Sequence, residues 1–331
     1  MPSANVRLPE QLTRLNPVYP GQLGVSGTSN DEGLRMHSTA RVLYVDPNFV
    51  GVSDLRDGSD PTCPLESIAA ALTKCRDFRG DTIYVMHNDA WQFGPRSTDY
   101  NTPIEESVVV TVHGVRIVGV APSSSLGPLW KPATSGGVAC TVDALDVLIE
   151  GFCFSGATEG AAVGGTAILV EWDGITVWGE NLVVRNCFFD GSVDVGIQLD
   201  YSWNCWIYDN EFQGCDTAGI YADPADSPMA LCKIHDNIFR DCGIAMDITE
   251  ANECEIYRNS IFNTAAQGGG AATGEGIDTG LGGQNQIFDN AFSCILPAAS
   301  PGDWDDLNTG DATDAWINNH CMNGMAITIP T

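Results

Sequence analysis

Residues 205–212 read CWIYDNEF, and the phrase returns as CKIHDNIF at 232–239 and, more loosely, as CEIYRNSIF at 254–262. Aligned on their Asn, the copies form the set Asn186, Asn210, Asn237, Asn259 and Asn290, with spacings of 24, 27, 22 and 31 residues. Three positions before each stands an aliphatic residue (Val183, Ile207, Ile234, Ile256, Ile287), and two positions after comes Phe188, Phe212, Phe239, Ile261 or Phe292. A degenerate copy, VLIEGFCF at 147–154, has Gly151 in the Asn position. Between the Asn sites a second landmark recurs: GIQL at 196–199, GIYA at 219–222, GIAM at 243–246 and GIDT at 276–279.

A repeat of this length means stacked units that cannot bury their apolar faces alone. The segments inside each unit are short, alternating and rich in Val, Ile, Phe and Tyr, which favours strands. No helical pattern separates them, so leucine-rich and βαβ repeats are disfavoured. The expected fold is all-β, a parallel β-helix of three short strands per coil. Stacking sets equivalent residues ~4.8 Å apart, so each sequence column becomes a ladder. Asn186, Asn210, Asn237, Asn259 and Asn290 are the expected structural ladder, at a bend where Asn tolerates left-handed backbone. Cys205, Cys232 and Cys254 precede their Asn by five residues, and Cys215 and Cys242 follow by five. That register predicts reduced thiols in interior columns rather than a disulfide framework.

Composition fits a chain with a large core and an unusual surface. Of 331 residues, 43 are acidic and 15 basic, a net charge of −28. Such a field repels nucleic acid and anionic membranes, so neither is an expected partner. The opening MPSANVRLPEQLTRLNP has charges and prolines where a secretory leader needs an apolar run, so synthesis in a host cytoplasm without export is expected.

Residues 41–87 place one amphipathic helix between two strand-like pieces, over about 64–79, with Leu65, Ile68, Leu72 and Cys75 as its stripe and Gly80 just beyond its end. Such a helix would cap the open end of the coil. YVD at 44–46, the Gly/Asp-rich loop after it, PLESIAAAL at 64–72 and GDTIYV at 80–85 resemble the opening of the pectin-lyase-like right-handed parallel β-helix superfamily. The resemblance spans roughly 41–325 and implies a right-handed coil. It is compatible with lyases, glycosidases, epimerases and non-enzymatic virus spikes. Residues 1–40 lack apolar periodicity and read either as a partly ordered tail or as an extended arm that docks on a capsid, a tail or another subunit. The domain boundaries expected are therefore 1–40 and 41–331.

Catalytic signatures that the resemblance would bring are thin. There is no Gly-His-Gly and no Arg-x-Lys of the polygalacturonase type. The three lysines are Lys74, Lys131 and Lys233, and Lys233 with Arg258 is the best basic pair. The column read as Arg185, Asp209, Asp236, Arg258 and Asp289 offers Asp209 and Asp236 as a nucleophile and acid. It equally reads as a charge-balanced surface ladder. Beside it, Val184, Tyr208, His235, Tyr257 and Phe288 should point outward, as a subunit interface, a sugar platform or a strip covered by a loop. Asp54, Asp57 and Asp60 supply hard oxygen ligands for Ca²⁺ without EF-hand spacing, so no cofactor is required. The reading carried forward is a non-enzymatic structural virion protein, a homotrimeric capsid decoration or tail-associated spike. The alternatives are a depolymerising polysaccharide lyase or glycosidase, and a β-helix that binds cell-surface glycan without cleavage.

Overall fold

One coil shows how the rest is built. Strand Trp206–Tyr208 turns at Asp209 into Glu211–Gln213, and the chain then reaches Ala218–Ala222 before starting again at Lys233–His235. Trp206, Ile207 and Tyr208 lie in parallel register with Lys233, Ile234 and His235. In the computed structural model the residues described are 40–86, 103–120, 127–156, 165–171, 179–222, 229–249, 251–262, 275–279, 283–292 and 314–321. Among them the rungs build three large parallel sheets of ten, nine and seven strands, here called the first, second and third, and a small fourth one that pairs Gly179–Glu180 with Ser202–Trp203. The chain is a parallel β-helix. It divides into two units, Met1–Ala40 and Arg41–Thr331; the docking arm expected at 1–40 lies outside the described residues, save Ala40.

Three columns fill the bore. The first sheet contributes Ile207, Ile234, Ile256 and Ile287, the third Ile168, Ile197, Ile220, Met246 and Ile277, all fully buried. From the second sheet Phe154, Phe189, Phe212 and Phe239 form a continuous ring stack, with centroids 5.2, 4.6 and 4.7 Å apart and nearly parallel planes. Burying each ring contributes about 2–3 kcal/mol, less what the unfolded chain already hides. Gly196 and Gly219 make room for this stack. A Cβ on either would sit 2.7 Å from the ring of Phe212 or Phe239. Register also corrects the second landmark: Ile220 pairs with Met246, so Ala245, not Gly243, continues the glycine column.

From strand Leu148–Glu150 onward, the corner between the first and second sheets holds two residues on each of seven rungs. The earlier of the two is left-handed: Asn186, Asp209, Asp236, Arg258, Asp289 and Asn318 all have φ between 51° and 56°. The later one carries the ladder. Asn210, Asn237, Asn259, Asn290 and Asn319 donate from Nδ2 to the carbonyls of Val184, Ile207, Ile234, Ile256 and Ile287. Each Oδ1 from Asn237 to Asn319 accepts both the backbone N and the Nδ2 of the preceding Asn, at 2.9–3.1 Å. Asn186 is not part of it. Register pairs Val184 with Ile207 and Phe189 with Phe212, so Cys187 occupies the ladder position and Asn186 the exposed left-handed one. Gly151, with φ of 81°, belongs to the same left-handed column.

The corner between the third and first sheets uses thiols for the same purpose. Cys232 Sγ accepts from Cys205 N at 3.3 Å, and Cys254 N donates to Asn285 Oδ1 at 3.0 Å. None of the ten described cysteines whose side chains are placed is in a disulfide.

The helix is shorter than its stripe predicts, Ile68–Leu72. Ser67 caps it by accepting from Ala70 N, and the Glu106 carboxylate accepts from Ile68 N and Ala69 N. Leu65 is buried but not helical; it bridges to Val45 in the first strand. The helix packs on Val42–Val45, Thr82–Met86 and Val108–Val110, which include the end strands of the first and third sheets. It therefore covers exposed edges at that end. No described helix is long and apolar enough to cross a membrane.

Candidate functional site

Outward positions of the first sheet alternate with the bore isoleucines, which sets a second aromatic stack on the surface. Tyr208, His235, Tyr257 and Phe288 follow one another at 5.0, 4.7 and 4.9 Å with planes within 11°. The column begins with Arg185, not Val184, which is inside the bore. Tyr208, Tyr257 and Phe288 are half-buried and His235 is buried. Arg185 donates to the Tyr208 hydroxyl at 2.9 Å and to Glu150 at 2.8 Å. Trp206 meets the edge of His235, and Lys233 lies 5.3 Å over the Trp206 ring.

The corner beside this strip holds the candidate carboxylates. Asp236 receives Arg258 Nε and Nη2 at 2.9 and 2.6 Å and His235 Nδ1 at 2.8 Å. Burial alone would raise its pKa, but Arg258 and His235 more than reverse this and hold it below the usual value. Exposed Asp209 is pushed up, by partial desolvation first and by the charge of Asp236 second. His235 gives its Nδ1 to Asp236, and its buried Nε2 has no partner among the described residues.

Lys233 and Arg258 do not form a dyad. Lys233 pairs with Glu255 at 2.8 Å and Arg258 with Asp236, so each cation is neutralised by a carboxylate one rung away. Nor do Asp54, Asp57 and Asp60, the possible calcium ligands, converge. Asp54 accepts from Glu66 N, Ser67 N and Ser67 Oγ, while Asp57 and Asp60 each bind the N–H and hydroxyl two residues on. Among the described residues no three His, Cys, Asp or Glu side chains are placed to hold a metal ion.

A second row was hidden in the sequence. On the outer face of the third sheet, Leu169, Gln198, Tyr221, Asp247 and Asp278 stand in register, all half-buried. Gln198 Nε2 donates to Asp200 Oδ2 at 2.8 Å. Asp247 and Asp278 occupy adjacent strands, ~4.8 Å apart along the ladder. Aligning GIAM with GIDT sets Asp278 against Ala245 and conceals this pair; the alternation of buried Met246 with half-buried Asp247 was the available signal.

The family described as Right handed beta helix region matches residues 146–292, which gives the coil its hand. No curated protein matches the chain. Among solved structures it is similar to DFA-IIIase from Arthrobacter chlorophenolicus A6, at 14% identity and a TM-score of 0.52, covering 84% of this chain and 68% of that one. Lacto-N-biosidase of GH136 from Eubacterium ramulus gives 12% identity and a TM-score of 0.40, covering 85% and 67%. ORF18 of Geobacillus virus E2 gives 11% and 0.29, covering 85% and 62%. The first likeness shows the fold alone, and the other two scores carry no weight.

Proposed function

We propose that this chain is a non-enzymatic structural protein of a virus particle, a β-helix that associates sideways into homotrimers as a capsid decoration or tail-associated spike, with residues 1–40 as its docking segment. One observation carries the lateral association. Cations on the first sheet's outer face and at the corner beside it are neutralised by carboxylates one rung away, through Arg185–Glu150, Lys233–Glu255 and Arg258–Asp236. What they flank is a flat aromatic strip. Such a surface can be covered by another flat face with little unpaired charge to desolvate. The virus setting rests on the resemblance of the sequence to viral β-helix spikes. Light scattering on the purified chain tests the assembly. The full-length chain measures three times its 35.3 kDa mass, the chain lacking residues 1–40 three times its own smaller mass, and Tyr208→Glu with Tyr257→Glu reduces either to monomers. A monomeric full-length chain sinks the proposal.

A second function has its own support, the carboxylate pair Asp247 and Asp278. Their spacing along the ladder is near the ~5 Å separation of retaining glycosidases, and the neighbour of like fold is DFA-IIIase. Cleavage of a polysaccharide that is lost in Asp247→Asn and Asp278→Asn would favour an enzyme. Retention of a glycan without cleavage would favour a binding module.

A further inference from the structure

The second sheet presents an outward column of a different kind. Trp130, Phe154 and Phe189 are in register and buried in the bore. The residues that follow them, Lys131, Ser155 and Asp190, therefore turn outward on three successive rungs. Backbone bonds from Ser155 N to Trp130 O and from Asp190 N to Phe154 O, at 3.1 and 3.0 Å, carry the pairing through this level. Despite facing outward, Lys131 is 7% and Ser155 6% exposed.

The hydrogen-bond directions around Ser155 can be assigned. Asp190 only accepts, and it takes both the backbone N and the hydroxyl of Ser192. Gly156 N donates to Ser192 Oγ at 2.6 Å. With its single proton committed to Asp190, Ser192 must be the acceptor in its 2.8 Å contact with Ser155. The Ser155 oxygen is thus left with its lone pairs facing away from Ser192, and no donor among the described residues reaches them. One rung before it, the Lys131 ammonium has no hydrogen-bond or ion-pair partner among the described residues. Arg41, Lys74 and Arg76 likewise hold no carboxylate among those residues, but they are exposed or half-buried, whereas Lys131 is buried.

We propose that Lys131 and Ser155 form a subsite for a neutral hydroxyl-bearing ligand, a sugar or other polyol. A hydroxyl accepts from an ammonium and donates to a serine oxygen at the same time, so it satisfies both groups. A carboxylate or phosphate satisfies Lys131 but meets the lone pairs of Ser155 and, a rung further on, the charge of Asp190. An apolar group leaves both polar groups unpaired. Water competes for the same two bonds, so a single sugar binds weakly and affinity grows with chain length.

Three lysines make the test direct, because Lys74 and Lys233 are internal controls. The full-length chain is acetylated sparingly with an N-hydroxysuccinimide ester, and each lysine is quantified by peptide mass spectrometry. Methyl glucoside or mannitol slows modification of Lys131 several-fold and leaves Lys74 and Lys233 unchanged; acetate and phosphate do not. Ser155→Ala, with its fold checked by circular dichroism, loses the protection. Equal slowing at all three lysines, protection by the anions, no protection by either polyol, or protection that survives in Ser155→Ala would each overturn the proposal. The unmodified chain alone decides the first three outcomes, whatever the variant's stability.

Discussion

Asn237, Asn259 and Asn290 use every hydrogen-bonding valence of their carboxamides inside the coil: two bonds accepted at Oδ1 and two donated from Nδ2. Asn237→Ala would strand the carbonyl of Ile207 and both the backbone N–H and one Nδ2 hydrogen of Asn210 in the interior, and leave Asn259 Oδ1 with the residue 237 backbone N–H alone. The expected loss is at least about 3 kcal/mol. Asn186→Ala removes one exposed contact with Glu150 and adds the strain of a left-handed Ala, a loss of roughly 1–2 kcal/mol. Urea midpoints of the two variants should differ clearly; equal losses would refute the ladder as drawn. The sequence showed the four later Asn because a column of identical residues has little other explanation. It misplaced Asn186 because Asn is also favoured at left-handed positions, and because Phe188 and Phe189 make both registers look apolar.

At the scale of elements, the N-terminal end is tied together by one carboxylate. Asp81 is fully buried, takes Arg79 through two bonds of 2.6 Å, and accepts from Arg41 N and Arg76 N. Burial pushes its pKa up, but the Arg79 pair and the two backbone donors outweigh it and the group is held below 3.8. A depressed carboxyl contributes stability that is complete above its unfolded value and is lost as pH falls through the folded one. Asp81→Asn should therefore lower the urea midpoint at pH 7 and flatten its decline below pH 3.8. An undiminished acid limb would show that other carboxyls carry it. The helix beside Asp81 was legible as a stripe of Leu65, Ile68, Leu72 and Cys75, all of them buried. Its length was not, because Leu65 meets the core through an extended bridge that presents the same apolar face.

For the whole molecule, the net charge of −28 sets a repulsion that no single pair relieves. Salt shortens the Debye length from ~30 Å at 0.01 M to ~3 Å at 1 M, so the melting temperature should rise steadily between these concentrations. A flat profile would mean that the acidic groups are already locally balanced. The fold was legible at this scale because repeats translate directly into stacking. The surface pair Asp247 and Asp278 was not, since a shift of two residues in one copy moves each aspartate out of its column.

Across seven rungs the corner between the first and second sheets keeps its two residues, while successive ladder asparagines lie 27, 22, 31 and 29 residues apart. All variation in length is therefore shed at the other two corners. A gene for such a coil can lengthen by copying a whole turn, since the copy brings both the amide its predecessor requires and the carbonyl its successor requires. Gain of a single codon inside the constant corner is another matter: it would turn the inner face of the next strand outward. Tandem duplication, with insertions confined to the two permissive corners, is the mode of descent that this geometry allows.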